Sequence, residues 1–272
     1  YSNPNLQQIP ARNKDLGPMI RSLFIPEEGH SWGCFDYSQQ EPRLVVHFAA
    51  TTAGIKEDSS VKEIVDNYSN NDIDFHKTVA DMAGISRLQA KTINLGLFYG
   101  MGKAKLQAEL GLSTKQEAEE LFNQYHDRVP FVRELMNETS RWASREGEIR
   151  TLLGRGCRFN KWEPAQFGMH TPMTWEDAIK KYGENRIRRA FTYKALNKLI
   201  QGSAADMTKK SMLDLYKEGI IAHIQIHDEL DLSVESKEHA NKIIEIMENA
   251  VKLAVPNKVD YESGKNWGDI YD

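Results

Sequence analysis

The segment HIQIHDELDLSV, residues 223–234, sets an aspartate beside a glutamate between two apolar alternations. Ile224 and Ile226 on one side, and Leu230, Leu232 and Val234 on the other, follow the period-two pattern of a hairpin with one buried face, placing His227, Asp228 and Glu229 at its tip. No Gly, Pro or Asn supplies turn chemistry there. Two like charges ~4 Å apart at an effective dielectric of ~20 repel by about 4 kcal/mol, a cost that a cation relieves. An acidic tip is ordinarily a solvated turn, so any chemistry depends on partners elsewhere. The first partner is CFDYSQQEPR, where Asp36 ends an apolar stretch and Glu41 and Arg43 follow at the start of a helix. Capping is the common role of such a carboxylate. Paired with Asp228 on a neighbouring strand end, it could instead help hold two divalent ions ~4 Å apart, one activating an attacking oxygen and the other stabilising a leaving phosphate.

The second constellation is RLQAKTINLGLFYG. Arg87, Lys91, Leu95 and Tyr99 recur every four residues and follow one slowly drifting helical stripe. Basic residues snorkelling on an exposed face explain such a stripe. So does a triphosphate held by Arg87 and Lys91, with sugar and base further along. Gly96 and Gly100 weaken this helix by roughly 1 kcal/mol each, which makes sense if something approaches the backbone closely.

These groups need elements to position them. The chain has 272 residues, 40% of them hydrophobic, enough for one large or two intermixed domains. Its formal charge of −4 excludes a global basic field, so any polyanion site is local. Cys34 and Cys157 lie far apart without metal-ligand spacing, which points to a reducing compartment. No apolar run reaches the ~18 residues of a membrane span. The opening, YSNPNLQQIP, lacks an initiator Met and suggests a longer protein. Residues 19–36 suggest two short strands joined by the turn PEEG. Residues 37–150 suggest helices, with Asp74 and Ser86 as N-caps, Gly84 as a stop and a break at Pro130. Residues 160–185 suggest an irregular insertion, and from residue 185 a long helix or helix pair leads into the hairpin. Strands that open and close a chain around a helical middle imply an α+β fold with a helical domain inserted into a sheet-bearing one.

DYSQQEPR, RLQAKTINLGLFYG, NKLIQGSAAD and IHDEL stand in the order of the polymerase motifs of family A, or polymerase I-like, DNA polymerases, and NPNLQQIP and SGKNWGD also resemble that family. The similarity spans almost the whole chain. It implies a palm with a small antiparallel sheet at residues 1–47 and 188–272, all-helical fingers at 48–187, and a thumb and any exonuclease domain outside the chain. It implies template-directed addition of deoxynucleotides from dNTPs to a primer 3′-hydroxyl on primer-template DNA, in a bacterial or virus-infected cytoplasm, with organelle targeting left open and without a membrane. An N-terminal thumb or exonuclease region, or a processivity factor, is the further partner implied.

Carried over residue by residue, Asp36, Asp228 and the Tyr37 carbonyl would bind two Mg2+ ions, with Mn2+ as a substitute. Arg87 and Lys91 would complete the catalytic set by gripping the nucleotide phosphates, assisted by His76. Tyr99 would stack on the template, Leu95 would face the sugar, and Glu41, beside Gln39, would gate against a ribose 2′-hydroxyl. Asn5, Gln7, Lys194, Asn197, Gln201 and His227 would contact DNA, and Glu229 would be a supporting carboxylate. Three departures stand out. Leu95 replaces the usual aromatic residue, Tyr193 replaces a basic one beside Lys194, and QQEP alters the apolar surroundings of Glu41. The long insertion leans toward a phage or other viral enzyme. Two rivals remain: a single-subunit RNA polymerase, which Glu41 argues against, and a catalytically silent nucleic-acid-binding module, which the clustered acids argue against.

Overall fold

The computed structural model describes residues 9, 13, 15–70, 73–98, 103–166 and 168–271, and within these leaves the side chains of 95, 97, 98, 103, 104, 106 and 271 undescribed. In chain order the elements are α1 (Leu16–Arg21), β1 (Ser31–Tyr37), α2 (Gln40–Thr51), α3 (Ser59–Asn70), α4 (Phe75–Ala83), α5 (Arg87–Phe98), α6 (Lys103–Glu109), α7 (Lys115–Arg128), α8 (Pro130–Glu146), β2 (Glu148–Arg150), β3 (Gly156–Arg158), β4 (Trp162–Pro164), α9 (Trp175–Tyr182), β5 (Ile187–Arg189), α10 (Ala195–Lys217), β6 (Ile224–Ile226), β7 (Glu229–Val234), α11 (Lys237–Asn249) and β8 (Val259–Gly264). The fold is α+β. It divides into two compact units, one made of the segment up to Arg43 together with Ala204 onwards, the other of Leu44–Ser203.

The first unit is built on an antiparallel sheet of order β6-β7-β1-β8. Strand alternation gives the sheet two unlike faces. Phe35 and Tyr37 of β1 share one face with Leu230, Leu232 and Val234 of β7, all buried. Burying each large apolar side chain contributes about 1.5–3 kcal/mol. The Tyr37 hydroxyl meets Ser211 Oγ of α10 at 2.6 Å and donates to the Met247 carbonyl of α11 at 2.5 Å, so both helices lie against this face. The opposite face is apolar at one end, where Trp32 stacks on Trp267 at 6.4 Å and Phe24 meets Trp267 edge-on at 5.3 Å. At the other end it is acidic.

Among its described residues the second unit is mostly helical, with two two-stranded ladders, β2-β3 and β4-β5. Asp74 caps α4 by accepting from the Lys77 amide, and Gly84, at φ 67°, ends it in the left-handed conformation that glycine adopts without a Cβ penalty. Ser86 and Gln89 cap α5 reciprocally: Ser86 Oγ accepts from the Gln89 amide at 3.2 Å, and Gln89 Oε1 from the Ser86 amide at 2.9 Å. Pro130 opens α8 where its missing N–H costs nothing. One core of this unit gathers Ala143, Ile149, Phe159, Ala195 and Leu199.

Two expectations are corrected. The first of the two strands expected from residue 19 is replaced by the helix Leu16–Arg21, which carries Gly17 and Pro18 in its first turn and is preceded by a turn in which Asn13 Oδ1 accepts from the Asp15 and Leu16 amides. The 160–185 insertion is ordered by α9, capped by Thr174, and by the pairing of β4 with β5, where Arg189 lies over the Trp162 ring at 4.6 Å.

Candidate functional site

Asp36 is the penultimate residue of β1, and its cross-strand partners are Glu229 on β7 and Asp260 on β8. Glu262 lies two residues along β8 on the same face. Like charges directly opposite each other destabilise a sheet. The turn between β6 and β7 is His227-Asp228, with Glu229 already in the ladder opposite Ile226, so the acidic tip is one residue shorter than the sequence pattern suggests. His227 has φ 53°, a left-handed conformation that costs a non-glycine residue about 1–2 kcal/mol. Gln225 Nε2 donates to its carbonyl at 2.6 Å, and the Tyr37 amide donates to the Asp228 carbonyl at 3.4 Å, which ties the turn to the end of β1. Strain of this kind is retained where the surrounding structure imposes it, commonly at functional sites.

Crowding shows in the titration of these acids. The Asp36 side chain reaches solvent, yet the protein packed around its carboxyl, then the charges of Asp228, Glu229, Asp260 and Glu262, push it up to about 7. Burial also raises Asp228. The donors are oxygens and the charge is negative, which fits hard divalent cations. Tyr37 sends its side chain to the opposite face, where burial pushes its phenol up to about 12, so it offers the acidic end only its backbone.

After β1 the chain turns at Gln39, φ 55°, into α2, whose first turn carries Glu41. This corner is fixed by buried Arg43, which donates to the Ser38 carbonyl at 2.8 Å and the Pro256 carbonyl at 2.6 Å. Gln40 Nε2 donates to Thr208 Oγ1 at 3.3 Å.

In the second unit, Arg87 and Lys91 stand one turn apart on α5, both exposed. Arg87 contacts Asp74 Oδ2 through Nε and one terminal nitrogen, each at 2.6 Å. Against the raising effect of burial, the Lys77 amide and Arg87 hold Asp74 below the usual carboxylate range. A pair this exposed contributes ~0–1 kcal/mol and yields readily to a better anion. His76 lies beside it on α4. Tyr125 donates its hydroxyl to Asn94 Oδ1 at 2.5 Å, which turns the Asn94 amide nitrogen toward His76 Nδ1 at 3.1 Å. Burial lowers the His76 pKa, opposed by Asp74 and reinforced by Lys91 and Arg87, and with Nδ1 accepting from the Asn94 amide the ring presents Nε2–H as a donor for an anion.

Lys194 lies over the Phe191 ring at 5.0 Å, just before α10, and Asn197 and Gln201 follow one turn apart on that helix, half-buried and exposed. Asn5, Gln7 and Tyr99 lie outside the described residues, and for Leu95 the helix but not the side chain is described. Sequence reasoning missed Asp260, Glu262, Asp231 and Asn94. The first two had a signal in the alternation of VDYESG, whose aspartate and glutamate must share a face.

The family model for DNA polymerase family A matches residues 1–269. The chain belongs to DNA polymerase family A. Relatives of this family A chain include a DNA-directed DNA polymerase of Pseudomonas phage M6, 36% identical over 303 aligned residues that take in 98% of this chain and 42% of the relative. DNA polymerase I of Caldicellulosiruptor bescii is 36% identical over 279 residues, with 98% and 30% covered. Among solved structures, the POL domain of Pol1 from M. smegmatis, in complex with DNA primer-template and dNTP, matches with a TM-score of 0.76 and 28% identity, over 100% of this chain and 46% of that one. The chain thus spans less than half the length of these relatives. No helix among the described residues is long and apolar enough to cross a membrane.

Proposed function

We propose that this chain is the catalytic part of a template-directed DNA polymerase, its sheet-bearing unit the palm and its helical unit the fingers. The observation that carries the reading is Asp36, flanked on both neighbouring strands by carboxylates and joined by Asp228 from the turn. Family A polymerases use divalent metal ions, and Asp36, Asp228 and the Tyr37 carbonyl are the groups that would hold Mg2+, or Mn2+ in its place. When bound, such ions activate the primer 3′-hydroxyl toward the α-phosphate and stabilise the charge on the departing pyrophosphate.

The remaining work belongs to side chains. Arg87 exchanges Asp74 for the triphosphate, Lys91 adds a second positive charge, and His76 donates from Nε2. Glu41 closes the space at the sugar 2′-position, which discriminates against ribose and against the RNA polymerase reading. Lys194, Asn197, Gln201, His227, Asn5 and Gln7 face primer-template DNA, and Tyr99 stacks on the template base. Catalysis is then largely positioning and electrostatics. The test is extension of a primer-template by the full-length protein with each dNTP singly, with and without Mg2+. Template-matched, Mg2+-dependent addition supports the reading, and DNA binding without extension favours the silent module.

A further inference from the structure

A second group of donors lies deeper on the acidic face. Cys34 of β1 and Asp231 of β7 are direct cross-strand partners, and Glu229 is two residues along β7 on the same face. One ligand atom from each of the three lies within 4.8 Å of the others. Cys34 is 4% exposed and Asp231 is wholly buried. Neither carboxylate oxygen of Asp231 has a hydrogen-bond partner among the described residues. Buried polar groups are nearly always satisfied, and a buried carboxyl without a strong donor is among the costliest exceptions. The Cys34 thiol opposite it is a weak donor at best, and the Glu229 carboxylate beside it adds a second negative charge. A cation supplies Asp231 with the strong partner it lacks and can take the two ligand atoms beside it.

We infer that Cys34, Glu229 and Asp231 form a cation site, distinct from the Asp36 and Asp228 pair, that takes a thiophilic divalent ion of the Zn2+, Co2+ or Cd2+ class. The thiolate selects this class, because Mg2+ prefers an all-oxygen octahedral shell whereas zinc-like ions accept sulfur and carboxylate oxygen in a four-coordinate site. On binding, the Cys34 proton leaves to solvent as the sulfur–metal bond forms, and no electron changes hands. Three anionic ligands around a dication leave one negative charge. Arg21, buried and seated over the Trp267 ring at 4.4 Å, acts on Asp231 with the opposite charge and balances it. The ion would clamp β1 to β7 just below the turn that carries Asp228, and so stiffen the end of the sheet where the catalytic acids stand.

The test uses the chelator-stripped 272-residue chain, titrated with Co2+ and with Cd2+ while thiolate-to-metal charge-transfer absorption is recorded. One equivalent should bind with such a band. The band should persist in Cys157→Ser and in Asp36→Asn, disappear in Cys34→Ser, and require roughly ten-fold more metal or beyond in Asp231→Asn. Zn2+ should raise the Tm of the wild-type chain and not that of Asp231→Asn. Absence of the band in the folded wild-type and Cys157→Ser chains, or a band that survives Cys34→Ser, overturns the assignment. Because the readout is absorption and Tm, this outcome is independent of whether the protein extends a primer.

Discussion

Asp36 and Glu229 face each other directly across β1 and β7, two carboxylates in register at the acidic end of the four-stranded sheet. Glu229 contributes to the crowding that pushes Asp36 up to about 7, after burial and Asp228. Under the proposed function it sets the field in which the catalytic ions bind and is not itself a required ligand.

Glu229→Gln should raise the Mg2+ concentration needed for half-maximal extension several-fold and leave most of the rate at saturating Mg2+. A loss of several orders of magnitude that saturating Mg2+ does not restore would make Glu229 a primary ligand.

Glu41, in the first turn of α2, is held in place by the corner that Arg43 braces. Glu41→Ala should raise ribonucleotide insertion relative to deoxyribonucleotide insertion, because the penalty against one hydroxyl is removed. Paired kcat/KM values for a ribo- and a deoxynucleotide check this, and an unchanged ratio assigns discrimination elsewhere.

Leu95 stands on α5 one turn after Lys91, at the position where family A enzymes usually carry an aromatic ring. A tyrosine hydroxyl there can stand in for a missing sugar 3′-hydroxyl, and Leu95 has none. Leu95→Tyr should narrow the preference for deoxy- over dideoxynucleotides by about one hydrogen bond, ~1–3 kcal/mol. If the ratio of kcat/KM values stays constant in a folded, active variant, Leu95 is a packing residue.

His126 is buried on α7 against Phe122, ring centroids 4.2 Å apart, and neither ring nitrogen has a hydrogen-bond partner among the described residues. Burial, and then Arg133, push its pKa down to about 4. The unfolded chain takes up this proton below its ordinary value of 6.5 while the folded chain does not, so stability is full above that pH and falls as pH drops toward 4. The loss is up to about 3 kcal/mol. His126→Phe should flatten this part of the profile in urea denaturation at pH 7 and pH 4.5, and an unchanged slope would place the acid sensitivity elsewhere.

How far the sequence foretold this follows from the range of the interactions. The hairpin and β1 were legible because alternation is local, and it was enough to bring Asp36 and Asp228 to neighbouring strand ends. The caps at Asp74, Ser86 and Thr174 are equally local, although only the first two were recognised. Helix α1 was mistaken for a strand because a six-residue apolar run has no decisive period. Asp260, Glu262 and the Cys34–Asp231 pair were missed because their meaning depends on register between strands far apart in sequence. The Tyr125-Asn94-His76 relay was likewise invisible, since a buried asparagine carries no periodic signal.

Under the proposed function, Asp36 and Asp228 hold the ions that drive nucleotidyl transfer. Single-turnover extension of a primer-template at saturating Mg2+ by Asp36→Asn and Asp228→Asn, alongside DNA affinity, tests it most directly. Each change removes charge and little packing, so extension should fall roughly a thousand-fold or more while DNA binding stays within a few-fold. Near-normal extension by Asp228→Asn would place the ion-binding groups elsewhere.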